Sequence, residues 1–228
     1  MKFVLLGYGR TGSLVAELAR QRGHIVRVLD EPDNPHASAL TAENLRGDDV
    51  VLDFTTPHVV MENITACARA GKNMVVGTTG WYGEIPKVRE MVEQAGTGFL
   101  YAANFSIGVN LFFDIARTAA AALRHQYAGQ ISERHHVHKK DAPSGTAVIL
   151  QKIVREASGK EKELEITSFR EGVVVGMHEL VLDSPNDTIH ISHDAKSRRG
   201  FAEGAVRAAE WLAGKKGFFE FEKVWREL

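Results

Sequence analysis

Residues 2–18 read KFVLLGYGRTGSLVAEL, and this stretch decides the fold. A short apolar run leads into three closely spaced glycines, after which Leu14, Val15 and Leu18 recur at helical spacing. This order predicts a β-strand, a tight turn and an α-helix. Residues 24–30, HIVRVLD, are rich in β-branched side chains and predict a second strand. Together these elements form a βαβ unit with parallel strands.

The same alternation continues along the N-terminal half of the chain. Apolar runs within residues 49–55, 73–80 and 98–104 predict three more strands, and helical patterns lie between them over residues 59–71 and 85–94. Strands and helices that alternate in this way predict an open, doubly wound parallel sheet. Ligands of such sheets gather at the carboxyl ends of the strands.

The pattern changes after Asn104. A helix rich in alanine is predicted over residues 108–122, a strand over 131–139, and a further helix from near Ser144. Residues 164–195 then hold several short apolar runs with turns between them and no helical pattern. Consecutive strands of this kind favour a mixed or antiparallel sheet.

The chain therefore divides into two predicted domains of different character. The fold class is α/β, with a doubly wound parallel-sheet domain followed by a smaller α+β domain at residues 105–199. A last helix is predicted over residues 200–212, and its pattern leaves open which domain it joins.

The composition excludes several classes of function. The 28 Lys and Arg residues balance 29 Asp and Glu residues to a net charge of -1, so no overall field draws the chain to nucleic acid or an anionic membrane. The single cysteine, Cys67, cannot form an internal disulfide. No stretch reaches the roughly 20 apolar residues of a membrane helix. We expect a soluble, cytoplasmic protein without nucleic-acid or membrane partners.

The turn GYGRTG at residues 7–12 matches the pattern G-x-G-x-x-G. Gly7 permits a tight turn, Gly9 lets the backbone approach a pyrophosphate, and Gly12 lets helix and strand pack closely. The helix N-terminus adds free N–H groups and a partial positive charge. A turn that serves packing alone would show the same letters. The flanking strand and helix, and the acid Asp30 at the end of the next strand, favour a dinucleotide site.

Asp30 also indicates which dinucleotide binds. Its carboxylate can hydrogen-bond an adenosine ribose, whereas a 2′-phosphate would face both Asp30 and Glu31. This predicts NADH in preference to NADPH, with Arg10 the nearby cation that softens the preference. Two further strand ends, Gly77–Gly80 and Ala102–Ser106, place small or hydrogen-bonding residues where a nicotinamide and its ribose would lie, although each alone could be a plain turn.

Residues 133–146 read ERHHVHKKDAPSGT and concentrate positive charge. One interpretation is a metal site on His135, His136 and His138. Strand alternation would put His135 on the opposite face from the other two, and the adjacent lysines would repel a cation. A second interpretation is a solvated positive strand end, which is the usual meaning of a run of charges.

A third interpretation is a site for a small polyanion. Ser144, Gly145 and Thr146 open a helix, and such a turn offers hydroxyl and backbone N–H groups to a carboxylate. Lysine and histidine bind carboxylates electrostatically, and a histidine that titrates near neutral pH can deliver a proton. A hydride acceptor that carries carboxylates needs these groups beside a nicotinamide.

Several longer motifs extend these observations. They are E-x-H-H-x-H-K-x-D-A-P-S-G-T-A over residues 133–147, DFTTP at 53–57, VVGTTG at 75–80, AANFSIGVN at 102–110 and HDAKSRRGFAEGAVRAAEWL at 193–212. In these motifs the chain resembles, from end to end, the 4-hydroxy-tetrahydrodipicolinate reductase family, also called the dihydrodipicolinate reductases.

The resemblance implies a reaction, a domain arrangement and a set of site residues. Members of the family reduce a cyclic imine dicarboxylate by hydride transfer from NADH or NADPH, with loss of water, in the diaminopimelate route to lysine. A homotetramer built by the sheets of the substrate domain is implied, as is a dinucleotide domain made of residues 1–104 and 200–228. The implied catalytic residues are His135, as proton donor, and Lys139. The implied substrate contacts are His136, Ser144, Gly145 and Thr146. The implied cofactor contacts are Gly7, Tyr8, Gly9, Arg10, Thr11, Gly12, Asp30, Gly77, Thr78, Thr79, Ala102, Ala103, Asn104 and Phe105.

Two alternatives share part of this pattern. Another two-domain dehydrogenase of an amino or keto dicarboxylate would keep the glycine turn but need not keep the Ser-Gly-Thr turn. A regulatory redox sensor would bind a dinucleotide without turnover. Such a sensor has no need of His135, Lys139 and Thr146 together.

Overall fold

The computed structural model describes residues 1–228 and divides them into two compact units. Unit 1 consists of Met1–Ser106 and Arg199–Leu228, and unit 2 consists of Ile107–Arg198. The boundaries predicted from the sequence, at residues 104 and 200, lie beside these. None of the helices combines the length and the apolar character needed to cross a bilayer.

Strands and helices follow one another along the chain in the predicted order. The strands are β1 (Lys2–Leu6), β2 (Ile25–Leu29), β3 (Val50–Asp53), β4 (Asn73–Val76), β5 (Gly98–Tyr101), β6 (Ala128–His135), β7 (Ile166–Arg170), β8 (Met177–Asp183), β9 (Thr188–Asp194) and β10 (Gly217–Glu220). The α-helices are α1 (Arg10–Gln21), α2 (Val60–Arg69), α3 (Ile85–Ala95), α4 (Ile107–Ala119), α5 (Gly145–Ser158), α6 (Arg199–Leu212) and α7 (Phe221–Val224).

Unit 1 contains the predicted doubly wound parallel sheet, in the strand order β10-β5-β4-β3-β1-β2. Its central strands are apolar and fully buried, as Val4, Val51 and Val75 show. The strand order reverses between β1 and β3. Ligands of open α/β sheets bind outside the carboxyl ends of the strands at such a reversal.

Helix α6 belongs to unit 1, a point that its sequence pattern left open. It packs against α1, where Glu210 accepts hydrogen bonds from Arg22 and lies 2.6 Å from Nε2 of His24. Gly204 permits close approach, because a Cβ at this position would collide with the carbonyl oxygen of Phe105. After α6 the chain adds β10 beside β5, a strand for which no prediction was made from the sequence.

Unit 2 contains a four-stranded sheet in the order β7-β6-β8-β9, in which β6 and β7 are parallel and the other pairs are antiparallel. Of the mixed or antiparallel sheet that the sequence predicts, the structure has the mixed one. Helices α4 and α5 contribute Phe112 and Leu150 to a core that includes Ile131 of β6. Alternation along β6 places Glu133 and His135 on the same buried face as Ile131.

The strand predicted over residues 131–139 is wrong at both ends, since β6 spans Ala128–His135. Pairing with the parallel strand β7 ends where His135 meets Arg170. After His135 the backbone turns, and the N–H of Lys139 donates to the carbonyl of His136 at 3.1 Å. Strand alternation therefore does not extend beyond residue 135. The alanine-rich helix α4 likewise stops at residue 119 rather than 122 and continues as a 3-10 helix.

Candidate active site

The glycine turn joins β1 to α1 in a geometry that requires glycine at two of its three positions. Gly7 has a φ of +83°, and a Cβ there would lie 2.6 Å from the carbonyl oxygen of Phe54. A Cβ at Gly12 would collide with the carbonyl oxygen of Gly7. At Gly9, in contrast, a Cβ would meet no protein atom within 4 Å. Packing explains Gly7 and Gly12, and the open space over Gly9 at the helix N-terminus fits a pyrophosphate.

A cleft of about 550 Å³ lies beside this turn, within unit 1. It is lined by Gly7, Tyr8, Gly9 and Asp30 from the predicted cofactor set, and by Glu31. The other lining residues end β1 and β2, follow β2 and β3, or belong to α2. Two carboxylates therefore stand at the end of β2, where the predicted ribose contact lies.

The predicted cofactor residues, taken together, differ in exposure to solvent. The exposed members of the set are Tyr8, Gly9, Arg10, Asp30, Thr79 and Ala103, the half-buried members are Thr11, Gly77 and Asn104, and the buried members are Gly7, Gly12, Thr78, Ala102 and Phe105. Phe54 explains part of this pattern. Its ring occupies the space that a Cβ at Gly77 would need, and it lies 6.2 Å from the ring of Phe105.

A buried carboxylate connects the loops at this edge of the sheet. Asp53, the last residue of β3, accepts hydrogen bonds from the N–H of Thr55 (3.0 Å), the hydroxyl of Thr55 (2.7 Å), the amide of Asn63 (2.8 Å) and the hydroxyl of Thr78 (2.7 Å). Burial raises the pKa of Asp53, and the hydrogen bonds from Thr78, Thr55 and Asn63 oppose that rise. The hydroxyl of Thr78, a predicted cofactor contact, is thus bound to Asp53.

The predicted proton donor lies at the end of β6 in unit 2. His135 is 8% exposed, and its Nδ1 contacts the carboxylate of Glu133. Burial raises the pKa of Glu133, but hydrogen bonds from Arg170, Ser168 and His135 outweigh this effect and hold the pKa below its ordinary value. An ionised Glu133 accepts the Nδ1–H of His135, so Nε2 is the ring nitrogen available for proton transfer.

The surroundings of His135 leave space beside Nε2 and change the pKa of the imidazole. A Cβ at Gly176 would lie 3.0 Å from Nε2, so glycine at this position leaves room beside the atom. Burial lowers the pKa of His135, and the carboxylate of Glu133 acts in the opposite direction. The imidazole is therefore uncharged more readily than an exposed histidine, and Glu133 limits that effect.

Lys139 lies in the turn after β6. Its ammonium donates to both carboxylate oxygens of Asp141, at 2.7 and 2.8 Å. The hydrogen bond from Lys139 holds the pKa of Asp141 below its usual value. The side chain of Lys139 is 21% exposed, so a substrate carboxylate can reach its ammonium. His136 is half-buried in the same turn, and its N–H donates to the carbonyl of Val174.

Helix α5 begins after Ser144, as the Ser-Gly-Thr pattern predicts. The hydroxyl of Ser144 accepts from the N–H of Ala147 (3.2 Å) and lies 3.0 Å from Nε2 of His178. Gly145 is exposed and Thr146 half-buried in the first helical turn, where backbone N–H groups lack an intrahelical acceptor. This turn can bind a carboxylate, and substrate contacts at residues 144–146 stay a prediction.

His178, on β8, contacts the first turn of α5 through the hydroxyl of Ser144. Burial lowers the pKa of His178 to about 4, and the nearby His135 acts in the same direction. The two rings lie 5.2 Å apart, edge to face. An uncharged His178 at neutral pH can accept the hydroxyl hydrogen of Ser144, which already accepts the Ala147 N–H.

Three potential metal ligands also converge at this site. Ligand atoms of Glu133, His135 and His178 lie within 4.8 Å of one another, a different set from the three histidines considered in the sequence. The guanidinium of Arg170 stands 2.8 Å from Glu133 and opposes a second cation there. The arrangement therefore fits proton transfer and carboxylate binding better than metal binding.

Four residues of the site were not predicted from the sequence: Asp53, Glu133, Arg170 and His178. For Glu133 a signal existed, because a separation of two residues on a strand places it on the same face as His135. Arg170 and His178 come from β7 and β8, as register partners of His135 and Glu133. Strand pairing of this kind has no signal in a single sequence.

The chain combines a parallel sheet that carries a dinucleotide turn with a second unit that holds a supported histidine, a lysine and a helix N-terminus. These features define the class of two-domain NAD(P)-dependent oxidoreductases. Family models described as the N-terminus and the C-terminus of dihydrodipicolinate reductase match residues 1–105 and 108–225. The chain belongs to the dihydrodipicolinate reductase family.

Individual relatives agree with this family. The chain is 39% identical to a 4-hydroxy-tetrahydrodipicolinate reductase of Christiangramia forsetii over 100% of this chain and 99% of the relative. It is 39% identical to the enzyme of the same name from Chromobacterium violaceum, over 79% of this chain and 74% of that one. A dipicolinate-bound dihydrodipicolinate reductase from Paenisporosarcina sp. TG-14 superposes with a TM-score of 0.80 at 25% identity, covering 98% of this chain and 99% of the other.

The fold extends to enzymes of other names. A diaminopimelate (DAP) dehydrogenase of C. glutamicum, in complex with DAP, superposes with a TM-score of 0.55 at 14% identity and covers 98% of this chain and 93% of its own. This likeness concerns the fold alone. The glycine turn alone is also compatible with another two-domain dehydrogenase of an amino or keto dicarboxylate. The family match decides against that alternative.

We predict that His178 makes the stability of unit 2 depend on pH. Its pKa is 6.5 ordinarily and about 4 in the folded chain, so the unfolded chain binds more protons between these values and stability is lost as pH falls through that window. The loss is on the order of 3 kcal/mol. Urea unfolding followed by circular dichroism from pH 7 to 4 measures it.

His178→Gln should make this decline shallower, because the amide does not titrate. The exposed His125 provides a matched control, and His125→Gln should keep the wild-type decline. An equally steep decline in His178→Gln and wild type would show that other groups cause it.

Proposed function

We propose that the protein reduces 4-hydroxy-tetrahydrodipicolinate to tetrahydrodipicolinate with NAD(P)H, with loss of water, in the diaminopimelate route to lysine. The observation that carries this proposal is the arrangement in unit 2 of His135, held at Nδ1 by a buried carboxylate, with Lys139 and the first turn of α5. These groups suit a small dicarboxylate that must accept a proton. The dipicolinate-bound relative supports the same substrate class.

The roles of the residues follow from this chemistry. The dinucleotide, when bound at the cleft of unit 1, supplies a hydride. Negative charge then develops on the substrate ring system, and a proton from Nε2 of His135 neutralises it. Lys139 binds a substrate carboxylate in exchange for part of its contact with Asp141. The N–H groups of Gly145 and Thr146 bind a carboxylate at the N-terminus of α5.

NADH is the preferred cofactor in this proposal. Asp30 and Glu31 both line the cleft, and their charges oppose the 2′-phosphate of NADPH. Arg10 begins α1 but does not line the cleft, so it offsets little of that repulsion. The ribose 2′-hydroxyl of NADH, in contrast, can donate a hydrogen bond to Asp30.

A homotetramer and a cytoplasmic location complete the proposal. The sheet face of unit 2 opposite α4 and α5 carries Phe169, which is 38% exposed, and the half-buried Met177 and Val181. Apolar side chains on an open sheet face suit contact between subunits. Light scattering should give a mass near four times 25.1 kDa, and a mass of one chain would contradict the tetramer. The free, buried Cys67 suits a reducing compartment, which cell fractionation tests.

Oxidation of NADH, with substrate generated from pyruvate and aspartate semialdehyde by the preceding synthase, tests the reaction. Wild type should oxidise NADH rapidly. His135→Ala should lower kcat by about 100-fold or more, because the proton donor is lost. Lys139→Ala should lower kcat/KM by about 10- to 100-fold, because a charged hydrogen bond to the carboxylate is lost.

Lys140→Ala is the matched control, since Lys140 is the exposed neighbour of Lys139. It should keep near-normal turnover. Folded wild-type protein that binds the dinucleotide but does not oxidise it would favour the redox sensor instead. Near-normal turnover of Lys139→Ala would remove that residue from the proposed mechanism.

The cofactor preference depends on charge at Asp30. Asp30→Asn keeps the shape of the side chain and removes one negative charge, so the ratio of kcat/KM for NADPH to that for NADH should rise by about tenfold. Steady-state kinetics with both cofactors measures the ratio. Asp33→Asn, an exposed position outside the cleft lining, is the control and should leave the ratio unchanged. A ratio in Asp30→Asn equal to that of wild type would contradict this role.

A further inference from the structure

Arg170 makes two contacts that the reaction scheme does not explain. It is the last residue of β7 and the register partner of His135 in the parallel pairing with β6. Its Nη2 lies 2.8 Å from a carboxylate oxygen of Glu133 and donates to the carbonyl of Asp141 at 2.6 Å. The Arg170 side chain is 19% exposed, so solvent screens these contacts only weakly.

Each contact leads to a residue that the proposed reaction uses. Glu133 contacts Nδ1 of His135 with its second carboxylate oxygen. Asp141, whose carbonyl accepts from Arg170, binds the ammonium of Lys139 with its carboxylate. One guanidinium is therefore connected to the proton donor through Glu133 and to the carboxylate anchor through Asp141.

We propose that Arg170 and Glu133 are positioning residues, which together set the geometry of His135 and Lys139 for the reduction. This inference rests on the proposed function, because it assigns the support of the two side chains that the reaction requires. Arg170 and Glu133 act through those side chains and are not themselves the proton donor or the anchor.

The positive charge of Arg170 is required because Glu133 is enclosed. The side chain of Glu133 is 0% exposed, and a carboxylate in such surroundings takes up a proton unless a cation and hydrogen-bond donors stabilise its charge. A protonated Glu133 would no longer be an acceptor at both oxygens. With Arg170 in place Glu133 accepts the Nδ1–H of the neutral His135, so Nε2 is the atom that takes up and then delivers the second proton.

The shape of the guanidinium matters as well as its charge. Nη2 carries its hydrogens at a fixed angle; it donates to the carbonyl of Asp141 and forms an ion pair with Glu133 at 2.8 Å. Nη1 donates to the carbonyl of Phe169 and fixes the plane of the group. A lysine at position 170 would supply the charge without this fixed angle.

The charged and titratable groups that act on His135 come from each neighbouring segment. They are Glu133 from β6, Arg170 from β7, His178 from β8 and Lys139 from the turn after β6. His178 is uncharged at neutral pH, since its pKa is about 4. Glu133 is therefore the one negative charge in this set, and its removal should lower the pKa of His135.

Steady-state kinetics over pH tests the proposal. Glu133→Gln should lower kcat by about 100-fold with little change in KM, because His135 loses its orientation while the substrate contacts remain. The alkaline limb of the kcat/KM profile should move to lower pH, because His135 loses its proton earlier. Arg170→Gln should lower kcat similarly, and Arg170→Lys should restore it to within about tenfold of wild type.

A double variant shows whether Arg170 and Glu133 act on His135 together or independently. If Arg170 acts on His135 through Glu133, the variant carrying both Glu133→Gln and Arg170→Gln should lose no more kcat than the more damaged single variant. Nitrogen NMR of ring-labelled histidine adds a readout that does not depend on turnover. Wild type should show His135 with its proton on Nδ1, and Glu133→Gln should change that signal.

Arg134→Gln is the matched control. Arg134 lies between Glu133 and His135 in β6, but it faces the other side, where it pairs with Glu171 at 2.9 Å and packs on Phe169. This variant should keep the kcat, the pH profile and the histidine signal of wild type. Circular dichroism checks folding, and if Arg170→Gln does not fold, Glu133→Gln and Arg170→Lys decide the question.

The outcomes separate this inference from the proposed function. A wild-type protein that reduces the substrate, with Glu133→Gln retaining its kcat and pH profile, would overturn the positioning role alone. A wild-type protein that does not reduce the substrate would overturn the proposed function. In that case the NMR signal of His135 in Glu133→Gln and Arg170→Lys still decides whether these residues orient the ring.

Discussion

A buried carboxylate on a central strand organises the candidate site in each unit. Asp53 ends β3 of the parallel sheet, and Glu133 lies two residues before the end of β6 in the mixed sheet. Both side chains are essentially inaccessible to solvent. Because an unpartnered carboxylate in such a place costs several kcal/mol, the surrounding chain must bring donors to it. The positions of those donors determine the shape of both sites.

The two carboxylates are satisfied by different chemistry, and their roles differ accordingly. Asp53 accepts from neutral hydroxyl and amide groups, including Thr78, and so holds the loops at this edge of the parallel sheet in place. Glu133 forms an ion pair with the guanidinium of Arg170 and contacts Nδ1 of a titratable imidazole. Neutral donors suit a rigid support, whereas an ion pair with His135 lets a protonated ring be stabilised beside the substrate.

Family membership and local geometry agree in this chain from one end to the other. The two family models together cover nearly the whole sequence, and the residues that the resemblance assigns to proton donation and carboxylate binding converge in unit 2. A fold shared with enzymes of other names does not choose the reaction. The family models and the relatives at 39% identity make that choice.

The sequence alone determined the architecture of unit 1 and the helix start after Ser144, because periodicity, glycine spacing and capping act over a few neighbouring residues. For unit 2 it left a mixed or an antiparallel sheet open. It could not determine where β6 ends, that β10 joins the sheet, or which side chains support His135. Arg170 and His178 reach that site through pairing between distant strands. Only the tertiary structure decides such contacts, because register depends on how whole strands bury their faces and not on local preference.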